Sequence, residues 1–365
     1  MKRFLWHALL LAALAGIGAM VFVGGGFVPI AADQGHWPIT RAALEFAMQR
    51  SVSTQSLAVK TPLHDDQFLD APAQVRKGAG HYASGCMPCH GAPGVERQLV
   101  PRKMLPAPPP LVRKLAAGSW SREELFWIVK HGLKYTAMPS WPTQNRDDEV
   151  WAMVAFLQRL PELSPADFRR LAFGGRDVAP GDCSGCHGTD GAGAGAFPQL
   201  AGLDEEYLRA SLAAFASGRR QSGVMQPIAA ALDSGRMREL ARHYASAPGG
   251  APATTATTGW ADPARIERGR KLAMEGDGLR RIPACSQCHG PGAKEHNRLY
   301  PTLAGQPASY LALQLQLFAR GGRGGTPYAH LMERAAAKLE PGDIRDLAAY
   351  YANLPQGQED AIIAR

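Results

Sequence analysis

Cys86-Met87-Pro88-Cys89-His90-Gly91 recurs as Cys183-Ser184-Gly185-Cys186-His187-Gly188 and again as Cys285-Ser286-Gln287-Cys288-His289-Gly290. The three stretches hold all six cysteines of the 365-residue chain, so none is left over for a disulfide. In Cys-x-x-Cys-His the two thiols can add to the vinyl groups of a haem while the adjacent histidine reaches the iron from the same side. A thioredoxin-like pair needs a βαβ context, and a zinc site needs a second ligand pair nearby; neither accompanies these motifs. The sequence therefore predicts three covalently bound haem c groups. Cys86, Cys89, Cys183, Cys186, Cys285 and Cys288 are the expected attachment residues, and His90, His187 and His289 the expected iron ligands.

The motifs repeat about every 100 residues, a domain-sized period rather than that of a solenoid. Residues 73–163 are expected to form a first domain, closed by a helix over Asp147–Leu160 with Val150, Val154 and Leu157 on one face and Pro161 as its stop. A second domain over 164–250 carries a glycine-rich loop, Gly188 to Gly195, then helices over Asp204–Ala216 and around Arg236–Ala245. Ala247 to Thr258, rich in Ala, Pro, Gly and Thr, reads as a linker. The third domain, 258–357, repeats the order and ends on a helix from Pro341 to Asn353. No alternating strand pattern of useful length occurs, so the fold class is all-α, three consecutive domains behind an N-terminal apolar segment.

That segment runs from Phe4 to about Val23 and on to Ile30, after Lys2 and Arg3. Its length of about 20 residues matches the hydrocarbon core of a bilayer and exceeds the usual cleavable signal. Residues 1–30 are read as a transmembrane anchor, with cleavage near Ala31 or Ala32 and a soluble periplasmic product as the alternative. The positive-inside rule keeps Lys2 and Arg3 in the cytoplasm and exports the rest, placing the haem domains in the periplasm against the bacterial cytoplasmic membrane. Residues 31–72 read as a juxtamembrane spacer containing a short helix over Thr40–Gln49. The balance of 40 basic and 32 acidic residues, net +8, suits acidic protein or lipid partners. Its basic residues are scattered, so no nucleic-acid partner is expected.

The sixth iron ligand separates a closed electron-transfer site from one open to small molecules. Met138 stands in Ala137-Met138-Pro139-Ser140-Trp141, where proline can fix an extended loop; Met104, in a proline-rich loop, competes with it, whereas Met87 lies inside the motif. Met225 is followed by Ala229 and Leu232, and Met332 by Ala336 and Leu339 at the same offsets. That register makes Met138, Met225 and Met332 the expected axial ligands, with His330 as an alternative to Met332 and Met237 as core. Each ligand histidine also needs its second ring nitrogen held. The carbonyls of Pro198, Pro301 and either Pro109 or Pro110 are expected to do so. Trp120, Trp127, Trp141, Trp151 and Tyr350 read as packing against haem or core rather than as an electron relay.

At these residues the sequence resembles the class I cytochrome c superfamily. Pro301-x-Leu303-Ala304-Gly305-Gln306, Tyr310-Leu311, Gln314-Leu315, Phe318, Met332 and Leu347-Ala348-x-Tyr350-Tyr351 make the last two domains similar to tandem di-haem bacterial cytochromes c; Leu203 replaces the glutamine in the second. The first resembles membrane-associated mono-haem cytochromes through Gly78-Ala79-x-x-Tyr82, Glu124-Leu125-Phe126-Trp127 and Met138-Pro139. The resemblance implies haem c and electron transfer. The expected function is a three-haem wire carrying single electrons between redox proteins, from a membrane oxidoreductase to a terminal oxidase. Service as the cytochrome subunit of a periplasmic dehydrogenase is the alternative, and a peroxidase or reductase with one open axial site a more distant one.

Overall fold

The computed structural model describes residues 2–28, 30–61, 71–118, 120–174, 183–193, 197–248, 260–290 and 297–355. From residue 249 onward the expected linker lies outside them, as do Ala194 and Gly195 of the glycine-rich loop. The described residues are helical, joined by turns, with isolated bridges at Ala92/Val95 and Asp277/Ile282 and no strand.

Helix α1 (Lys2–Gly24) is long and apolar enough from Arg3 to Gly24 to cross a membrane. Helix α2 (Pro38–Ser56) is longer than the expected Thr40–Gln49, and its C-terminal end buries Val52 where it packs on a helix of the first domain. The C-terminal end of α2 is therefore part of the folded body.

The first domain is built on α3 (Pro72–Gly85), α4 (Arg122–His131) and α5 (Asp147–Arg159). Ser121 and Glu124 cap α4 reciprocally, each side chain accepting from the other's backbone N–H, at 3.1 and 2.8 Å. Helix α5 gives way at Leu160–Glu162 to a 3₁₀ turn containing Pro161, as its missing N–H requires. α3 crosses α5 at Gly78, where a Cβ would overlap the carbonyl of Ala152 and the Cβ of Phe156. The core at this crossing contains Tyr82, Trp151, Phe156 and Phe168.

Phe168 belongs to α6 (Pro165–Phe173), which the sequence assigns to the second domain. The helix lays Phe168 and Ala172, both essentially inaccessible, against α3. Burying such a phenylalanine is worth about 1.5–3 kcal/mol, which favours this placement over one beside the smaller apolar cluster of the second domain. That domain's own helices are α7 (Glu205–Ala216, capped by Asp204), α8 (Met225–Ala230) and α9 (Ser234–Ser246, capped by Asp233); α7 packs on the other two.

The third domain comprises α10 (Pro263–Glu275), α11 (Ala308–Ala319), α12 (Ala329–Ala336) and α13 (Pro341–Asn353). It repeats the geometry of the first: α10 crosses α13 at Gly269, where a Cβ would strike the Asp346 carbonyl. Pro72, Pro165, Pro263 and Pro341 all open their helices, where a fixed φ helps and no N–H is missed.

Two polar seams join the domains. At the first, buried Glu149 of α5 accepts from Ser222 Oγ at 2.7 Å, Gly223 N at 2.6 Å and Trp141 Nε1 at 3.2 Å, and pairs with Arg146 at 3.0 Å. Arg146 in turn donates to the carbonyl of Gln221 at 2.6 Å and pairs with Asp148, which also holds Lys77 at 2.9 Å. At the second, the Gln306 side chain treats the backbone of Gln199 as a strand edge, accepting from its N–H at 3.1 Å and donating to its carbonyl at 2.8 Å.

Candidate functional site

Each Cys-x-x-Cys-His motif is wound into a single helical turn. His90 N donates to the Cys86 carbonyl and His289 N to the Cys285 carbonyl, both at 2.9 Å, while Gly188 N donates to Ser184 at 3.0 Å. A turn of helix puts residues three apart on one face, so the paired thiols point the same way. The residue after each histidine then takes positive φ, at Gly91 (71°), Gly188 (84°) and Gly290 (62°), which explains why glycine follows every motif. Two of these turns are fixed by tyrosine hydroxyls: Tyr82 Oη donates to the Gly91 carbonyl at 2.5 Å and Tyr351 Oη to the Gly290 carbonyl at 3.2 Å. Tyr82 comes from the entry helix of its domain and Tyr351 from the closing helix.

All three histidines are held alike. His90 Nδ1 lies 2.9 Å from the Pro109 carbonyl, His187 Nδ1 3.0 Å from Pro198 and His289 Nδ1 2.9 Å from Pro301. The expected carbonyls at Pro198 and Pro301 are therefore in place, and Pro109 rather than Pro110 serves the first domain. With Nδ1–H donated to a carbonyl, Nε2 is left with its lone pair directed outward, the form that binds a metal. Burial lowers the pKa of His90 and His187, which the proline carbonyl bond opposes, so both imidazoles stay neutral.

One thiol of each motif sits in surroundings that disfavour its anion. Burial, assisted by the neighbouring motif cysteine, pushes Cys86 up to about 12 and Cys186 up to about 11; burial pushes Cys285 up to about 11. A zinc ligand or a thiolate nucleophile needs the opposite shift, whereas a thioether carries no charge.

The structure distinguishes the methionines. Met332 Sδ faces His289 Nε2 at 3.4 Å, while His330 is exposed. Met225, the first residue of α8, lines one cavity with His187, Cys183 and Cys186. Ala229 and Ala336, which set the shared register of the two methionines, are both fully buried. Met138 occupies a pinned loop: its carbonyl accepts from Leu133 N at 3.2 Å and its N–H donates to Thr136 Oγ1 at 3.1 Å. Among the described residues neither Met138 nor Met104 forms a hydrogen bond to the His90 ring, whose Nδ1 is bonded to Pro109.

The cavity that takes in His187 and Met225 continues to His289, Cys285, Cys288 and Met332, with apolar walls from α7, α11 and α13. Part of its wall belongs to the first domain, where a Cβ on Gly80 would overlap the Phe197 ring and meet Cys186 Sγ at 3.4 Å. Paired thiols, an outward Nε2 and an apolar enclosure, with a thioether facing the imidazole at His289, form a donor set that fits haem c.

Several residues that shape the site escape a reading of the motifs alone: Tyr82 and Tyr351 at the glycine carbonyls, Glu149 and Arg146 at the first seam, and Arg220 and Arg323 in the cavity wall. One signal does exist for the arginines. Tyr207, Phe215 and Arg220 recur as Tyr310, Phe318 and Arg323 at identical spacing.

Comparison with known proteins places these features. The family model described as cytochrome C oxidase, cbb3-type, subunit III matches residues 73–157, and that described as cytochrome c matches 174–244 and 266–355. A thiosulfate dehydrogenase electron acceptor of Stutzerimonas stutzeri is 38% identical over 56% of this chain and 94% of its own. One of Thiomonas intermedia is 37% identical over 47% of this chain and 78% of its own. Cytochrome c4 of Pseudomonas aeruginosa is 32% identical over 50% of this chain and 92% of its own.

Proposed function

Since the chain belongs to the class I c-type cytochromes, with several cytochrome c domains and covalently bound haem c, we propose that it holds three haems and accepts electrons from an exported dehydrogenase, passing them to a membrane-side redox partner. The observation that carries this reading is the threefold histidine–proline bond, each instance beside a motif turn and leaving Nε2 free. On it, Cys86/Cys89, Cys183/Cys186 and Cys285/Cys288 would attach the haems, His90, His187 and His289 would bind iron, and Met138, Met225 and Met332 would supply the further iron ligands.

When bound, each haem supplies a one-electron couple between ferrous and ferric iron. The chain supplies what tunes that couple. Proline carbonyls fix the tautomer and orientation of each imidazole, the methionine thioethers would serve as the other iron ligands, and the apolar walls exclude water.

Relatives that are electron acceptors of a thiosulfate dehydrogenase support a dehydrogenase as donor, over the terminal-oxidase connection expected from sequence. The apolar helix α1, read as an uncleaved anchor, would hold the haem domains at the outer face of the cytoplasmic membrane. Mixing the oxidised protein with a purified thiosulfate dehydrogenase and thiosulfate tests the donor. Reduction within the enzyme's turnover time is the expected result; reduction no faster than without enzyme would overturn that assignment.

A further inference from the structure

Arg220 and Arg323 are each about 8% exposed, yet among the described residues neither has a carboxylate within ion-pair distance. Their partners are neutral. Arg220 donates to Ser211 Oγ at 3.3 Å, Tyr310 Oη at 3.4 Å and Gln314 Oε1 at 3.5 Å; Arg323 donates to Gln314 Oε1 at 2.7 Å and Tyr207 Oη at 3.0 Å. The two are related by the domain repeat. Arg220 stacks over Phe215 at 4.4 Å and Arg323 over Phe318 at 4.5 Å, and each reaches the tyrosine of the other domain. The loops carrying them meet closely, since a Cβ on Gly325 would overlap the backbone of Arg219.

Two buried guanidinium groups side by side, without counter-charge, are strongly unfavourable. Burial and the nearby Arg220 charge push the Arg323 pKa down. Although burial opposes it, the same two charges draw the Tyr207 hydroxyl down to about 8. Both arginines line the cavity shared by the second and third motifs. The group expected in that cavity carries carboxylate side chains, and planar guanidinium groups match carboxylates in geometry and charge.

We propose that Arg220 and Arg323 form one anion site across the seam, neutralising carboxylate side chains of the second and the third haem together. This rests on the three-haem reading. Because the site is shared, the potentials of those two haems depend on both arginines, and docking of the two domains depends on the carboxylates that fill the site.

The test uses full-length, haem-loaded protein. Haem content is measured first, and a chain lacking haem at Cys183 or Cys285 counts against the three-haem reading itself. Midpoint potentials are then resolved by spectroelectrochemistry for R220Q, R323Q, R220K and R323K. Each glutamine variant is expected to lower both the second and the third potential, because a nearby cation disfavours ferric iron, and to leave the first unchanged. The lysine variants should hold near wild type, and Tyr207→Phe and Tyr310→Phe, which remove hydrogen bonds but no charge, should shift neither. R220M and R323M keep bulk over Phe215 and Phe318 should the glutamine variants fail to accumulate. Unshifted potentials in charge-removing variants, or a shift confined to one haem, would overturn the proposal. So would wild-type potentials that move with added phosphate at constant ionic strength, which would mean a free anion fills the site.

Discussion

His289 Nε2 and Met332 Sδ face each other across 3.4 Å, the contact on which the proposed ligand pair of the third domain rests. Met332→Ala should open the sixth position of one haem and remove about a third of the iron–methionine absorption, with carbon monoxide binding to the reduced protein; an unchanged spectrum would move the ligand elsewhere. At the first seam, Glu149 accepts from three donors besides pairing with Arg146. Glu149→Ala should therefore cost about 3–5 kcal/mol, the loss incurred when one partner of a buried ion pair is removed, and thermal unfolding followed by circular dichroism would show it. Acid acts on the same seam. Burial, with Lys77 and Arg146, holds His81 well below its usual pKa, so the folded state binds fewer protons than the unfolded chain once pH falls below about 6.5. Asp148 follows at lower pH: burial would raise it, but Lys77 and Arg146 together hold it far below the carboxylate range. Both shifts are depressions, so both contributions are present at neutral pH and lost on acidification. The unfolding temperature should fall first below about pH 6.5 and again below about pH 4, the second step being absent in Asp148→Asn. The motif turns, which bring the paired cysteines and the adjacent histidine together, were legible because their spacing is local. Glu149, Arg220 and Arg323 were not, since each derives its role from partners 73 to 116 positions away.

Helices were legible where periodicity and caps coincide. Pro341–Asn353 is found as expected, and Glu205–Ala216 begins one residue after its capping Asp204. What periodicity does not encode is the face against which a helix packs. α6 follows the boundary drawn at Ser164, yet Phe168 lies in the first domain's core with Tyr82 and Phe156. Phe168→Ala should destabilise that domain by about 3–5 kcal/mol, as for other buried phenylalanines; loss confined to the second domain, read from its haem absorption, would contradict the packing. The helix crossings make a sharper test. Gly78→Val and Gly269→Val would drive side chains into the carbonyls of Ala152 and Asp346 and should each cost about 1–3 kcal/mol or more. Because the first and third domains share the crossing, the two variants should unfold different domains to a similar extent. The spacer helix α2 ran longer than its amphipathic stretch because Val52 finds burial against α4, a gain invisible to a local window.

The whole molecule is a chain of domains whose seams are polar and whose haem sites stand close to them. α3 touches two motifs, capping at Cys86 and meeting Cys186 at Gly80, six residues or about 9 Å of helix apart. At the second seam Gln306 grips the backbone beside Pro198, whose carbonyl holds His187. Gln306→Leu, the residue found at the equivalent Leu203, would remove both bonds to that backbone and should cost about 1–3 kcal/mol while loosening the second haem's imidazole. A broadened or shifted spectrum from the second haem would report it. That cytochrome c domains repeat along the chain was open to reading because the motif repeats; their mutual docking was not, because it rests on single glycines and glutamines without a periodic signal. Everything proposed for the molecule depends on three ligated haems. The measurement that bears on this most directly is a redox-monitored absorption spectrum of the purified protein, including the weak far-red ferric band of iron–methionine ligation, scaled to covalent haem per chain. Three haems per chain, full methionine signal and no carbon monoxide binding are expected; fewer than three, or one haem that lacks the band and binds carbon monoxide, would contradict the three-haem reading.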